Sequence, residues 1–194
     1  MATKMKKKAK SASKARKPAK AAAKKAAPAA PAFSGKQQFI DSFAKEMAKT
    51  LQVLRALPSG QGEFRPHERS KNARELAWTF VVEQYLMMKA MLNQPFNEGS
   101  PPQAPTDYDT VITRLENDHM AIVQQVKKTP DAWFSGTLQF PVGKGKMGDW
   151  KRSDFMWFLL SDHIHHRGQF TVYLRMAGGK VPSIYGPSAD EPWR

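Results

Sequence analysis

Cysteine is absent from all 194 residues. Thiolate nucleophiles, cysteine-based zinc sites and disulfides are thereby excluded, and a reducing compartment fits the composition. No apolar run approaches the roughly 18 residues that a membrane span needs. The basic N-terminus lacks the apolar stretch of a secretory leader, so the chain is expected to be cytoplasmic with no membrane partner. Phosphate-binding loops, dinucleotide fingerprints, and the G-x-S-x-G and H-E-x-x-H patterns are missing as well, so none of the chemistries they serve is indicated. Acidic residues are missing from one region only. Residues 1–33 hold eleven Lys or Arg and no Asp or Glu, whereas residues 34–194 carry 20 basic and 17 acidic side chains. The net charge of +14 therefore belongs mainly to the N-terminal tail.

The tail, rich in Lys, Ala and Pro, has almost no large apolar residue before Phe33. It cannot bury enough surface to offset the entropy of ordering, so residues 1–33 are expected to be disordered. Such an arm binds nucleic acid through phosphates, without sequence preference.

Past residue 34 the pattern becomes helical. Phe39, Ile40, Phe43, Met47, Leu51 and Leu54 recur at three-to-four spacing before Pro58 and Gly60. Ser70 is placed to cap a second helix carrying Leu76, Phe80, Val81, Met87, Met88 and Met91; the methionines there read as core filler. Thr106 followed by Asp109 suggests the start of a third, with Val111, Leu115, Ile122 and Val126 on one face. Ser153 opens a fourth, stopped near Ala177 by Gly178 and Gly179. Between the last two, GTLQFPVGKGKMGDW alternates around glycines and predicts a small hairpin. Four such helices make an all-α four-helix bundle with a long connection before the last helix.

The chemistry-bearing stretch is SDHIHHRGQF, which holds three of the five histidines. On a helix, Asp162 and His166 share a face with Gln169 and Tyr173, His165 pairs with Gln169, and His163 aligns with Arg167. His67 lies in a polar loop, and His119, in the acidic segment RLENDHMA, reads as solvent-facing. Spacing alone leaves three readings open. An Asp–His pair can ligate a metal, an Asp can orient a histidine base, or the cluster can be a hydrogen-bonded polar core. Gly168 inside this helix points to close packing, because glycine costs about 1 kcal/mol relative to alanine there.

The stretch HHRGQFTVYLRMAGGKVPSIYGPSADEPW, together with ARELAWTFVVEQ, resembles the DinB family of damage-inducible proteins across roughly residues 36–193. The resemblance implies an up-down-down-up four-helix bundle, often a homodimer. It also implies a zinc or nickel site of three histidines, and relatives that act as transferases or isomerases with small thiols. Carried onto this chain, the three ligand positions fall at Thr79, Asp162 and His166. Only one imidazole remains, and a threonine hydroxyl is a poor ligand for zinc or nickel. The resemblance with this departure implies a polar Thr79–Asp162–His166 cluster with a weakened or lost metal site. Its activity is unassigned, its small-molecule ligand is unknown, and His166 and Asp162 are the candidate catalytic pair. The alternative is a metal-dependent transferase acting on small thiols or electrophiles.

Deleting residues 1–33 tests the tail. DNA binding by the full chain, measured by fluorescence anisotropy, should weaken steeply between 50 and 200 mM salt (about 10³-fold or more if six or more phosphates are contacted) and vanish in the deletion variant.

Overall fold

The structure, a computed structural model, describes residues 35–193; the expected disorder of residues 1–33 lies outside them. Buried Phe39, Phe43, Met47, Thr50 and Leu54 follow one face of helix α1, Gly35–Arg55. Helix α2, Ala73–Met91, begins two residues later than Ser70 would place it. Asn72 is its cap: the side chain accepts from the Glu75 amide, and the Glu75 carboxylate accepts from the Asn72 amide. This reciprocal pair satisfies two of the amides a helix start leaves open. Helix α3, Tyr108–Lys128, is capped by Asp107 rather than Thr106. A four-residue helix α4, Asp131–Phe134, leads into strands β1, Thr137–Gly143, and β2, Lys146–Lys151. Helix α5, Arg152–Met176, has no side-chain cap, and Gly178 just beyond it takes a left-handed conformation, φ 83°. That conformation suits glycine and ends the helix.

The described residues are thus mostly helical, with one two-stranded antiparallel sheet. Helices α1 and α2 each pack against both α3 and α5. Their shared core includes fully buried Phe39, Phe43, Phe80, Phe155, Phe170 and Leu115. The hairpin closes one end, where Phe140 and Trp150 pack on Phe155 of α5. Trp78 of α2 donates its indole N–H to the Pro102 carbonyl at 2.8 Å, tying down the long segment between α2 and α3. Met87 and Met91 are buried in the core as filler. Gly168 is a departure: no heavy atom outside its own helix lies within 4 Å of where its Cβ would stand. Its cost is not offset by packing within the chain. No helix among the described residues is long and apolar enough to cross a membrane.

The C-terminal segment, too proline-rich for a helix, lies against α5 instead. Asp190 pairs with Arg175 and accepts from the Val181 amide, while Ser188 donates to the Val181 carbonyl.

Replacing Asn72 by alanine removes the α2 cap and the 2.6 Å bond from its amide to Glu63. We expect a stability loss of about 1–2 kcal/mol, measured as a lower urea midpoint with an unchanged denaturant slope.

Candidate functional site

Helix α5 presents two polar stripes with different fates. The inner stripe carries His163 and Arg167, exposed by only 1% and 3%. The outer stripe carries Asp162, His166 and Gln169 at the rim of the α2–α5 seam.

The inner stripe is built around a buried ion pair. The Arg167 guanidinium lies 2.7 Å from the Glu46 carboxylate of α1 and also donates to the Glu46 carbonyl. Tyr185 of the C-terminal segment donates to Glu46 and accepts from Arg167, while Lys49 completes the cluster at 3.1 Å from Glu46. Burial pushes the Glu46 carboxyl up, but bonds from Tyr185, Arg167 and Lys49 outweigh it and hold the pKa down at about 2. His163 sits one turn earlier. Its Nε2 is 2.8 Å from the Thr50 hydroxyl, and its ring meets Phe80 edge-on at 4.6 Å.

Across the seam, Glu83 of α2 is 2% exposed, and neither of its carboxylate oxygens has a hydrogen-bond partner. His163 Nδ1 approaches to 3.2 Å, yet without hydrogen-bond geometry. The two do not form an ion pair. Burial, reinforced by the charge of Asp162 and opposed by Lys71, drives the Glu83 carboxyl well above the usual carboxylate range. Burial, together with the positive charge of Arg167, drops His163 to about 3. Both shifts favour the neutral forms, as expected for groups removed from water.

The outer stripe completes the site. His166 Nε2 lies 3.7 Å from Glu83 and 3.6 Å from Asp162, too far for hydrogen bonds to either. Its other nitrogen, Nδ1, is 2.8 Å from the Gln169 carbonyl oxygen, and the Gln169 amide nitrogen is 2.9 Å from His165 Nε2. The simplest assignment has Gln169 donating to His165 and accepting the Nδ1 proton of His166. That leaves the Nε2 lone pair of His166 facing the two carboxylates, the tautomer a metal ligand requires.

Glu83, Asp162 and His166 offer one donor atom each, all within 4.8 Å of one another. The fit to a divalent ion is good on three counts. The buried Glu83 oxygens lack any other partner; a cation would relieve the cost of that burial. The 3.6 and 3.7 Å spacings lie near the about 3.4 Å that separates donors held at about 2.1 Å around a tetrahedral zinc. One imidazole and two carboxylates also suit borderline and hard divalent ions.

Thr79 stands elsewhere. Its hydroxyl accepts from the Lys71 ammonium at 2.7 Å and lies 3.4 Å from the Glu75 carbonyl, one turn of α2 before Glu83. Asp162 and His166 do face one another, as their spacing predicts. Glu83 escaped the sequence reading although a signal was there. It is the one charged residue between Glu75 and Lys89, on the same helical face as Phe80 and Met87. His119 corrects the expectation of a solvent-facing residue. Its ring lies 4.6 Å from that of Phe43, its Nδ1 is buried without a partner, and burial lowers its pKa to about 4. An α3 helix that packs against both α1 and α2 turns this histidine inward despite its acidic neighbours. The amide of Gln84 is likewise buried with neither atom bonded.

Comparison with known proteins places this architecture. The DinB family profile matches residues 29–193. The chain belongs to the DinB family. It is 53% identical over 163 residues to the uncharacterized protein YrdA of Bacillus subtilis strain 168, a match spanning 82% of this chain and 93% of that protein. A DinB-like protein from Bacillus cereus ATCC 10987 superposes with a TM-score of 0.65 at 23% identity, covering 77% of this chain and 97% of the other. A DinB-like protein from Bacillus subtilis gives 0.59 at 16% identity, over 75% and 95%. At these identities the two solved structures speak to the fold alone.

The Glu46 pKa sets a pH test. A depressed carboxyl stabilises the fold above its unfolded pKa, and that contribution disappears as pH falls through the folded value. Glu46→Gln should therefore cost about 3 kcal/mol near neutral pH. Chemical denaturation should show the gap to the wild type narrowing between about pH 4.5 and 2.

Proposed function

We propose that this protein is a metal-dependent DinB-family enzyme, an up-down-down-up four-helix bundle whose centre is Glu83, Asp162 and His166. The observation that carries the reading is the buried Glu83 carboxylate, whose oxygens lack hydrogen-bond partners and face the Nε2 of His166 at 3.7 Å. The donor set differs from the three imidazoles implied by the family resemblance. With two carboxylates and one imidazole it discriminates less strongly for zinc or nickel and also admits manganese or iron.

A divalent ion bound there supplies a Lewis acid that lowers the pKa of a bound thiol or water. The chain's own residues supply the rest. Gln169 fixes the tautomer of His166, and His163 backs Glu83 from the core side. Asp162, half-exposed at the rim, can take up a proton from an incoming group. The activity this arrangement supports best is transfer chemistry on a small thiol or electrophile. A cavity of about 410 Å³ beside His166, also lined by Gln169 and Tyr173, has room for such a ligand. A wider cavity of about 610 Å³ around Asp107, Tyr108 and Glu116 is lined by none of these residues. Homodimerisation is part of the same reading. The outer face of α5 leaves Phe158, Val172 and Met176 exposed, with Gly168 open between them.

Metal content of the untagged full chain, read by plasma mass spectrometry, tests the centre. Near-stoichiometric metal is expected, and both Glu83→Gln and His166→Ala should lose it. Glu83→Gln should at the same time raise the melting temperature of the metal-free protein, because it removes a carboxyl that burial disfavours. A wild-type chain that takes up no zinc, nickel, manganese or iron(II) would overturn the reading.

A further inference from the structure

Lys71 is a surface lysine held in place by three elements. It lies in the segment before α2, just ahead of the Asn72 cap. Its backbone carbonyl accepts a hydrogen bond from the Tyr173 hydroxyl of α5 at 3.0 Å. Its ammonium donates to Thr79 of α2 at 2.7 Å. Exposed lysines ordinarily keep their rotamer freedom. Anchoring both the backbone and the charged end of one is unusual for a residue that serves only solubility.

The ammonium is held where two cavities meet. Lys71 lines the cavity of about 410 Å³ that contains His166 and also a second one of about 420 Å³ bounded by Trp78, Thr79 and Val82. Among the residues lining the two, it is the sole Lys or Arg. The one acidic lining residue, Glu75, is already engaged by Arg65 and by the Asn72 amide. Lys71 is close enough to the centre for its charge to act on Glu83. One ammonium hydrogen is taken by Thr79, and an ammonium has three.

We propose that Lys71 is the anion-recognising residue of the site, and that its Thr79-anchored ammonium binds the carboxylate or phosphate group of a small-molecule ligand lying beside His166. The ligand's anionic end is held at the rim by Lys71, and its reactive end is placed over His166. Thr79 then has a role that ligation does not give it, as the residue that aims Lys71. The identity of the reactive end rests on the metal-site reading; the anion contact is measured separately from it.

Sulfate is the probe, followed by ¹⁵N NMR of the full-length chain with and without zinc, while zinc affinity is measured in parallel by calorimetry. In the wild type, sulfate should shift the Ser70, Thr79 and Gln169 resonances saturably. Lys71→Met should weaken that response about ten-fold or more, as for loss of a hydrogen bond to a charged group. Zinc affinity in the same variant should be kept or raised, since a like charge has been removed. Lys71→Arg should retain the sulfate response, and Thr79→Val should weaken it several-fold by releasing the ammonium. A sulfate response in Lys71→Met equal to the wild type, or shifts confined to other Lys and Arg residues, would overturn the proposal. Failure of zinc to bind would count against the metal-site reading alone, which falls once nickel, manganese and iron(II) fail as well, and the zinc-free titrations of the same variants would still decide the Lys71 contact.

Discussion

Arg167 is the constraint on which the arrangement turns. A guanidinium cannot lose its proton in a protein, so burying one demands a carboxylate and further acceptors. Glu46 meets that demand from α1, with its backbone carbonyl as well as its side chain, and Tyr185 closes the cluster from the C-terminal segment. The pair fixes the rotation of α5 about its own axis. With Arg167 inward, His163 one turn earlier must also face the core, and the Asp162–His166 stripe is left at the seam with α2. The geometry of the candidate centre is thus a consequence of where a structural ion pair sits.

The two buried glutamates show how differently one side chain can be treated. Glu46 is surrounded by donors and holds its charge down to about pH 2. Glu83, buried more deeply, has a neutral histidine on one side, a carboxylate nearby and no donor aimed at it. A fold selected only for stability would place an apolar residue or a matched donor there. Local sacrifice of this kind is common where a group must remain available to something outside the chain. The hydrogen-bonded order around His166, running through Gln169 to His165, is complete by contrast. Orientation is supplied; only the positive charge that would satisfy Glu83 is not.

The helices were legible because their signals are periodic and local. The apolar repeat of α1, the glycines after α5 and the alternation of the hairpin all lie where the pattern places them. Caps were harder to read. Ser70, Asn72, Thr106 and Asp107 are all competent caps, and the choice turns on local hydrogen bonds: Glu75 returns one to Asn72, whereas Asp107 accepts from both the amide and the hydroxyl of Thr110. In the site, the Asp162–His166 pair is a matter of helical spacing and could be read directly. Glu83, Glu46 and the inward turn of His119 could not, because each depends on which neighbouring helix covers a given face. An acid on an apolar stripe was the visible trace of that information.

Charge accounting joins these features. On the metal-site reading, three neutral imidazoles, as the family resemblance implies, would leave a divalent centre with its full charge of two. Here Asp162 and Glu83 stand near the single imidazole, and two ionised carboxylates would cancel a divalent ion. A neutral centre attracts an anionic ligand weakly, whatever its Lewis acidity. Lys71, one turn of α2 away through Thr79, returns one positive charge to the rim without occupying a coordination position. Thr79, where the family resemblance implies an imidazole, offers no metal donor on this reading and instead aims the cation that a carboxylate-rich centre lacks.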